Sequence, residues 1–109
     1  MRSCIHVQTF TNSWGNEISW SMKGINSKVT CESSQEYYND CWYGQTCCMP
    51  TIDDEFSVTC TDNFGDGWEG EFLVINGRKI CDGFRGHNFT TVIPNPIKRD
   101  CETGRTKLV

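Results

Sequence analysis

Polar and apolar residues alternate along most of the chain. Ile5, Val7 and Thr9 alternate with His6, Gln8 and Phe10, and Ile18, Trp20 and Met22 alternate with Glu17, Ser19 and Ser21. Phe56, Val58 and Cys60 alternate in the same way with Ser57, Thr59 and Thr61. A period of two puts successive side chains on opposite faces of a strand, so each run reads as a half-buried β-strand. No window carries a capped i, i+3, i+4, i+7 stripe, which argues against a helix of any length. Turn chemistry separates the strands at Thr11-Asn12-Ser13-Trp14-Gly15-Asn16 and at Lys23-Gly24-Ile25-Asn26-Ser27, and a short strand follows near Lys28–Cys31. Asn76-Gly77 between Glu71–Ile75 and Arg78–Cys81 is the strongest local signal, because a type I′ hairpin turn needs positive φ twice. Phe89–Ile93 reads as a further strand, ended by Pro94 and Pro96. The stretch 32–50 shows no clear period and is expected to be a cross-linked loop with at most a short helical turn. Seven or so short strands predict an all-β, antiparallel sandwich, with a jelly roll among the possible arrangements.

A chain of 109 residues, 37% of them hydrophobic, buries one modest core, so residues 1–109 form a single domain with 97–109 as a C-terminal tail. The longest clean apolar run is Phe72–Ile75, too short to cross a membrane. The eight cysteines are Cys4, Cys31, Cys41, Cys47, Cys48, Cys60, Cys81 and Cys101. They are even in number, spread over the whole length, and contain no C-x-x-C pair, which favours disulfides over zinc. The expected compartment is therefore oxidising, and the protein secreted. Cys47 and Cys48 are adjacent and should point to opposite sides, towards different partners. Cys60–Cys81 would staple the two sides of a glycine-aspartate loop, and Cys4–Cys101 would join the two ends. Asn88-Phe89-Thr90 is an acceptor triplet for N-glycosylation at Asn88.

The net charge of −4 conceals a segregation: between Lys28 and Arg78 stand ten acids and no base. Such a stretch repels phosphates and argues against a nucleic-acid partner. It suits a bound cation, a basic partner or simply a solvated acidic face. The densest motif lies within it, at Thr61-Asp62-Asn63-Phe64-Gly65-Asp66-Gly67-Trp68-Glu69-Gly70. Glycine-rich backbone can turn Asp62 and Asp66 towards one point, where hard divalent cations take carboxylate and carbonyl oxygens. The same pattern also suits an Asx-turn loop whose aspartates bond nearby N–H groups.

This motif resembles the D-x-[FY]-G-D-G-W signature of secreted β-sandwich modules found in bacterial and protist surface proteins, whose fold is similar to that of CUB domains. The upstream Trp14-Gly15-Asn16-Glu17-Ile18-Ser19-Trp20 resembles the Y-[PG]-x-E-[TI]-S-W strand of such modules, in the same order along the chain. The resemblance covers roughly Ile5 to Phe84 and is carried by about twenty positions. It implies a CUB-like sandwich and a calcium ion held by Glu17, Asp62 and Asp66, ordering loops that meet a partner. Asn12 stands where these modules often have an aspartate, so one carboxylate ligand is missing from the pattern.

Trp14, Trp42 and Trp68 fall in expected loops, as do Tyr37, Tyr38 and Tyr43. Exposed rings anchor protein or glycan ligands, whereas buried ones plug a thin core. No nucleophile elbow, phosphate loop or supported catalytic triad is present, and His6 and His87 are isolated, so no enzyme is expected. The expected role is non-enzymatic: a secreted, calcium-dependent binding or adhesion module for an extracellular protein or glycan. A receptor-binding effector, pheromone- or toxin-like, is the alternative.

Overall fold

The computed structural model describes residues 2–96. Eight strands occur in this span: β1 (Arg2–Phe10), β2 (Ile18–Gly24), β3 (Thr30–Glu32), β4 (Trp42–Pro50), β5 (Glu55–Asp62), β6 (Phe72–Ile75), β7 (Arg78–Ile80) and β8 (Asn88–Pro94). They form two antiparallel four-stranded sheets, ordered β4-β1-β6-β7 and β3-β2-β5-β8, packed face to face. The fold is a disulfide-rich β-sandwich, as the alternation predicts. A single 3₁₀ turn, Gly15–Glu17, is the one helical element among the described residues, and no helix is long and apolar enough to cross a membrane.

The inward positions of both sheets meet in one core. Ile5, Val7, Leu73 and Ile75 come from the first sheet, and Trp20, Met22, Phe56 and Val58 from the second, all nearly free of solvent contact. At about 25 cal/mol per Å² of apolar surface, each of these side chains contributes roughly 1.5–3 kcal/mol. Polar atoms inside this core are paired: the Trp20 indole N–H donates to the Tyr37 hydroxyl at 2.8 Å and to Thr9 Oγ1 at 3.1 Å. The Asn76-Gly77 turn has φ of 51° and 78°, as a type I′ hairpin requires.

The loop expected over 32–50 is half strand. β4 occupies its second part and pairs with β1 along nine residues. Tyr43, Gln45, Cys47 and Met49 do alternate inwards, but Gln45 is polar and masks the period. Its amide is accommodated by β3 and the chain after it: Nε2 donates to the Glu32 carbonyl at 2.6 Å, and Oε1 accepts from the Ser34 N–H at 3.1 Å. Satisfied in this way, an inward glutamine costs little.

Three disulfides are formed among the described residues. Cys31–Cys47 and Cys60–Cys81 each join one sheet to the other, and Cys4–Cys48 joins β1 to β4 within the first sheet. Cys60–Cys81 is the bridge expected beside the aspartate loop, and Cys47 and Cys48 do take different partners. The expected Cys4–Cys101 bridge is displaced: the β1–β4 register sets Cys4 directly opposite Cys48. Cys101 and the tail 97–109 lie outside the described residues. Among those described, Cys41 has no disulfide partner.

Candidate metal centre

Strand register builds the acidic end of the sandwich. β2 and β5 pair with Ile18 opposite Asp62, so the residue before β2, Glu17, lies beside the last residue of β5. The Asn63 N–H donates to the Glu17 carbonyl at 2.9 Å and closes this corner. The aspartate loop then folds back on itself. Asp62 accepts the Phe64 N–H at 3.1 Å on one oxygen and the Gly67 N–H on the other. Gly67 needs to be glycine twice over: its φ is +88°, and a Cβ there would stand 2.0 Å from the Phe84 carbonyl oxygen.

Glu17, Asp62 and Asp66 each turn one carboxylate oxygen to a common point, all within 4.8 Å of one another. Three oxygens so spaced leave a centre at most about 2.8 Å from each, close to the roughly 2.3–2.6 Å of calcium–oxygen bonds. Glu17 and Asp62 are buried, and Asp66 is exposed. The Asp62 carboxyl lies close to those of both Glu17 and Asp66. Two carboxyls can share such a contact only through a proton or a cation.

The titration behaviour follows. Burial first, then the charges of Asp66 and Asp62, push the Glu17 carboxyl above its ordinary value. The hydrogen bond with Asp62, burial and the Asp62 charge do the same to Asp66. Asp62 moves the other way. Its burial is outweighed by the bond with Asp66 and by the N–H groups of Phe64, Gly67 and Asp66, which hold it below the ordinary range.

A fourth carboxylate joins this end. Glu71, just before β6, is 2% exposed and accepts the Asn12 N–H at 3.3 Å. Burial raises its carboxyl, opposed by the Asn12 N–H and reinforced by Asp62, Glu17 and Asp66. It lines a pocket of about 180 Å³ with Asn12, Trp14, Asp66 and Glu69. Neutral Asn12 thus sits beside a carboxylate that arrives from another strand. Glu71 reads in the sequence as the first residue of a strand, and its one signal was its place at the end of the glycine-rich run.

The aromatic candidates separate. Trp68 is fully buried: its indole N–H donates to the Thr61 carbonyl at 3.1 Å and its backbone pairs with Phe84 and Gly83. It plugs the loop and is removed from any ligand surface. Trp14 is 60% exposed on the rim of the acidic pocket. Trp42, 57% exposed, opens β4 on the outer face of the first sheet. Tyr37 is a core residue, Tyr38 an exposed one. Asn88 is exposed at the start of β8, an edge strand. No protein-family model, curated protein or solved structure matches this chain.

Proposed function

We propose that this protein is a non-enzymatic, extracellular binding module whose carboxylate end takes a calcium ion and which recognises a protein or glycan ligand through the loops around it. The observation that carries the reading is the setting of Glu17. The residue is 7% exposed, and its neighbours are the carboxyls of Asp62 and Asp66. Packing negative charge against negative charge is unfavourable unless a proton or a cation joins it, and one calcium ion would satisfy all three carboxylates at once. An all-oxygen set of irregular spacing suits calcium better than magnesium, which demands near-ideal octahedral geometry. Three disulfides support an oxidising compartment.

Thermal unfolding in excess calcium and in chelator tests the reading. A ligand at a hundredfold excess over Kd stabilises the native state by about 2.7 kcal/mol. In a domain of this size that is a rise in Tm of roughly 10 °C or more. A calcium-specific rise supports the metal centre. Equal melting in both conditions refutes it and gives the receptor-binding effector precedence.

A further inference from the structure

We infer that the outer face of the first sheet is a second binding site, bordering the carboxylate end but not using its metal, for a saccharide chain bearing carboxylate or sulfate groups. Phe72, Phe10 and Trp42 stand side by side on β6, β1 and β4, since Phe10 pairs with Phe72 on one side and Trp42 on the other. Their ring centroids lie 5.2 Å (Phe10–Phe72), 5.0 Å (Phe10–Trp42) and 5.7 Å (Trp42–Phe72) apart. The rings point away from the core, and Trp42 keeps 57% of its surface in water. Trp42 is the exposed member of this apolar cluster, with Phe10 and Phe72 half-buried beside it, and it marks the contact surface. All three centroids lie within 5.7 Å of one another, so the rings make one compact patch that a single sugar ring can cover. The apolar faces of pyranose rings pack on aromatic rings, while their edges seek polar groups.

The charged group beside the rings is a cation. Lys79 on β7 places its ammonium 4.4 Å from the centre of the Phe72 ring. The His6 ring lies against Gly44, where a Cβ would meet its Cε1 at 2.9 Å, so on this face β4 carries no side chain between Trp42 and Thr46. Gln8, between Phe10 and His6 on this face, is exposed. The outward positions of the sheet hold Arg2, His6 and Lys79 and, among the described residues, no Asp or Glu. In a chain of net charge −4 with ten acids between Lys28 and Arg78, a carboxylate-free face selects an anionic partner. A neutral glycan would use the rings and leave the lysine idle. Ring and ammonium together, within one ligand's reach, favour the acidic one.

The test is titration of the intact, oxidised protein with polygalacturonate (carboxylate), heparin (sulfate) and dextran (neutral), followed by Trp fluorescence and calorimetry. Binding of at least one acidic glycan is expected, with dextran at least tenfold weaker. Trp42→Ala should weaken binding tenfold or more, and Lys79→Gln should weaken the acidic glycan several-fold and flatten its salt dependence. Both positions are exposed, so unchanged Tm values verify folding, and Trp42→Phe should restore part of the affinity. Asp66→Asn, and chelator, should leave this binding unchanged, which separates it from the calcium reading. Absence of binding to either acidic glycan overturns the proposal. So does binding that Trp42→Ala leaves intact, or a concentration-dependent dimer that Trp42→Ala dissolves, which would assign the face to self-association.

Discussion

Ile18 stands opposite Asp62 where β2 and β5 pair, and this single pairing places the buried carboxyl of Glu17 next to that of Asp62. A slip of one residue would turn Asp62 to the other face of its strand and dismantle the acidic corner. The two residues are far apart in the chain, so the site depends on the sandwich being assembled.

Asp62 and Asp66 should therefore fail differently. Asp62→Ala strands the Phe64 and Gly67 N–H groups that Asp62 accepts. A buried donor left unpaired costs about 1–3 kcal/mol, so Tm in chelator should fall by roughly 5 °C or more. Asp66 is exposed and accepts no comparable set. Asp66→Asn should leave Tm in chelator unchanged or slightly higher, because like charges are relieved, while removing most of the calcium-induced rise. A fall in chelator as large as that of Asp62→Ala would contradict this division of roles.

The pH dependence has a defined sign. Glu17, Asp66 and Glu71 have raised carboxyls in the folded protein, against ordinary values of 4.5, 3.8 and 4.5. The native state then binds more protons than the unfolded chain. Their contribution is fully present below the ordinary values and is lost as pH rises through the raised ones. Asp62 is lowered, so its contribution is present above 3.8 and lost as pH falls through its folded value. Melts in chelator should show metal-free stability declining from about pH 4.5 towards neutrality. Glu17→Gln should flatten that decline. Calcium competes with the same protons, so its stabilisation should be larger at pH 7 than at pH 4.5.

Two glycines offer a matched backbone comparison. At Gly77, φ is +78° and nothing lies within 4 Å of an added Cβ. Gly77→Ala should cost about 1–2 kcal/mol from the left-handed backbone alone. At Gly67 the same strain is joined by collision with the Phe84 carbonyl and displacement of the N–H held by Asp62. Gly67→Ala should cost clearly more than Gly77→Ala by urea unfolding and should also abolish the calcium response. Equal costs would mean that the loop moves away from Phe84 freely.

Peptide mapping of the oxidised protein should recover Cys4–Cys48, Cys31–Cys47 and Cys60–Cys81. Removing Cys60–Cys81, which closes a span of 21 residues across the sandwich, should cost about 3 kcal/mol. The paired Cys60→Ala/Cys81→Ala variant measures this by chemical unfolding, and a loss under about 1 kcal/mol would mean that packing alone holds the sheets together.

Much of this molecule is written in local pattern. Alternation of residues such as Ile18, Trp20 and Met22 determines strands and their buried faces, because the period of two is a property of the extended backbone itself. Asn76-Gly77 determines its hairpin because few residues tolerate positive φ twice in succession. The adjacency of Cys47 and Cys48 determines that they face apart. What only the tertiary structure decided is which distant segments meet. β4 was hidden because Gln45 faces inwards and finds its partners on β3 and the chain beyond it. Cys48 takes Cys4 because of strand register, across 44 residues. Glu71 joins the acidic corner, and Phe10, Trp42 and Phe72 gather on one face, only when β1 lies between β4 and β6. Trp68, an aromatic in a loop by sequence, is buried because the loop folds over it against Phe84. A pattern of neighbours along the chain encodes the backbone's local shape, whereas a site made from several strands is set by their pairing, which no single segment contains.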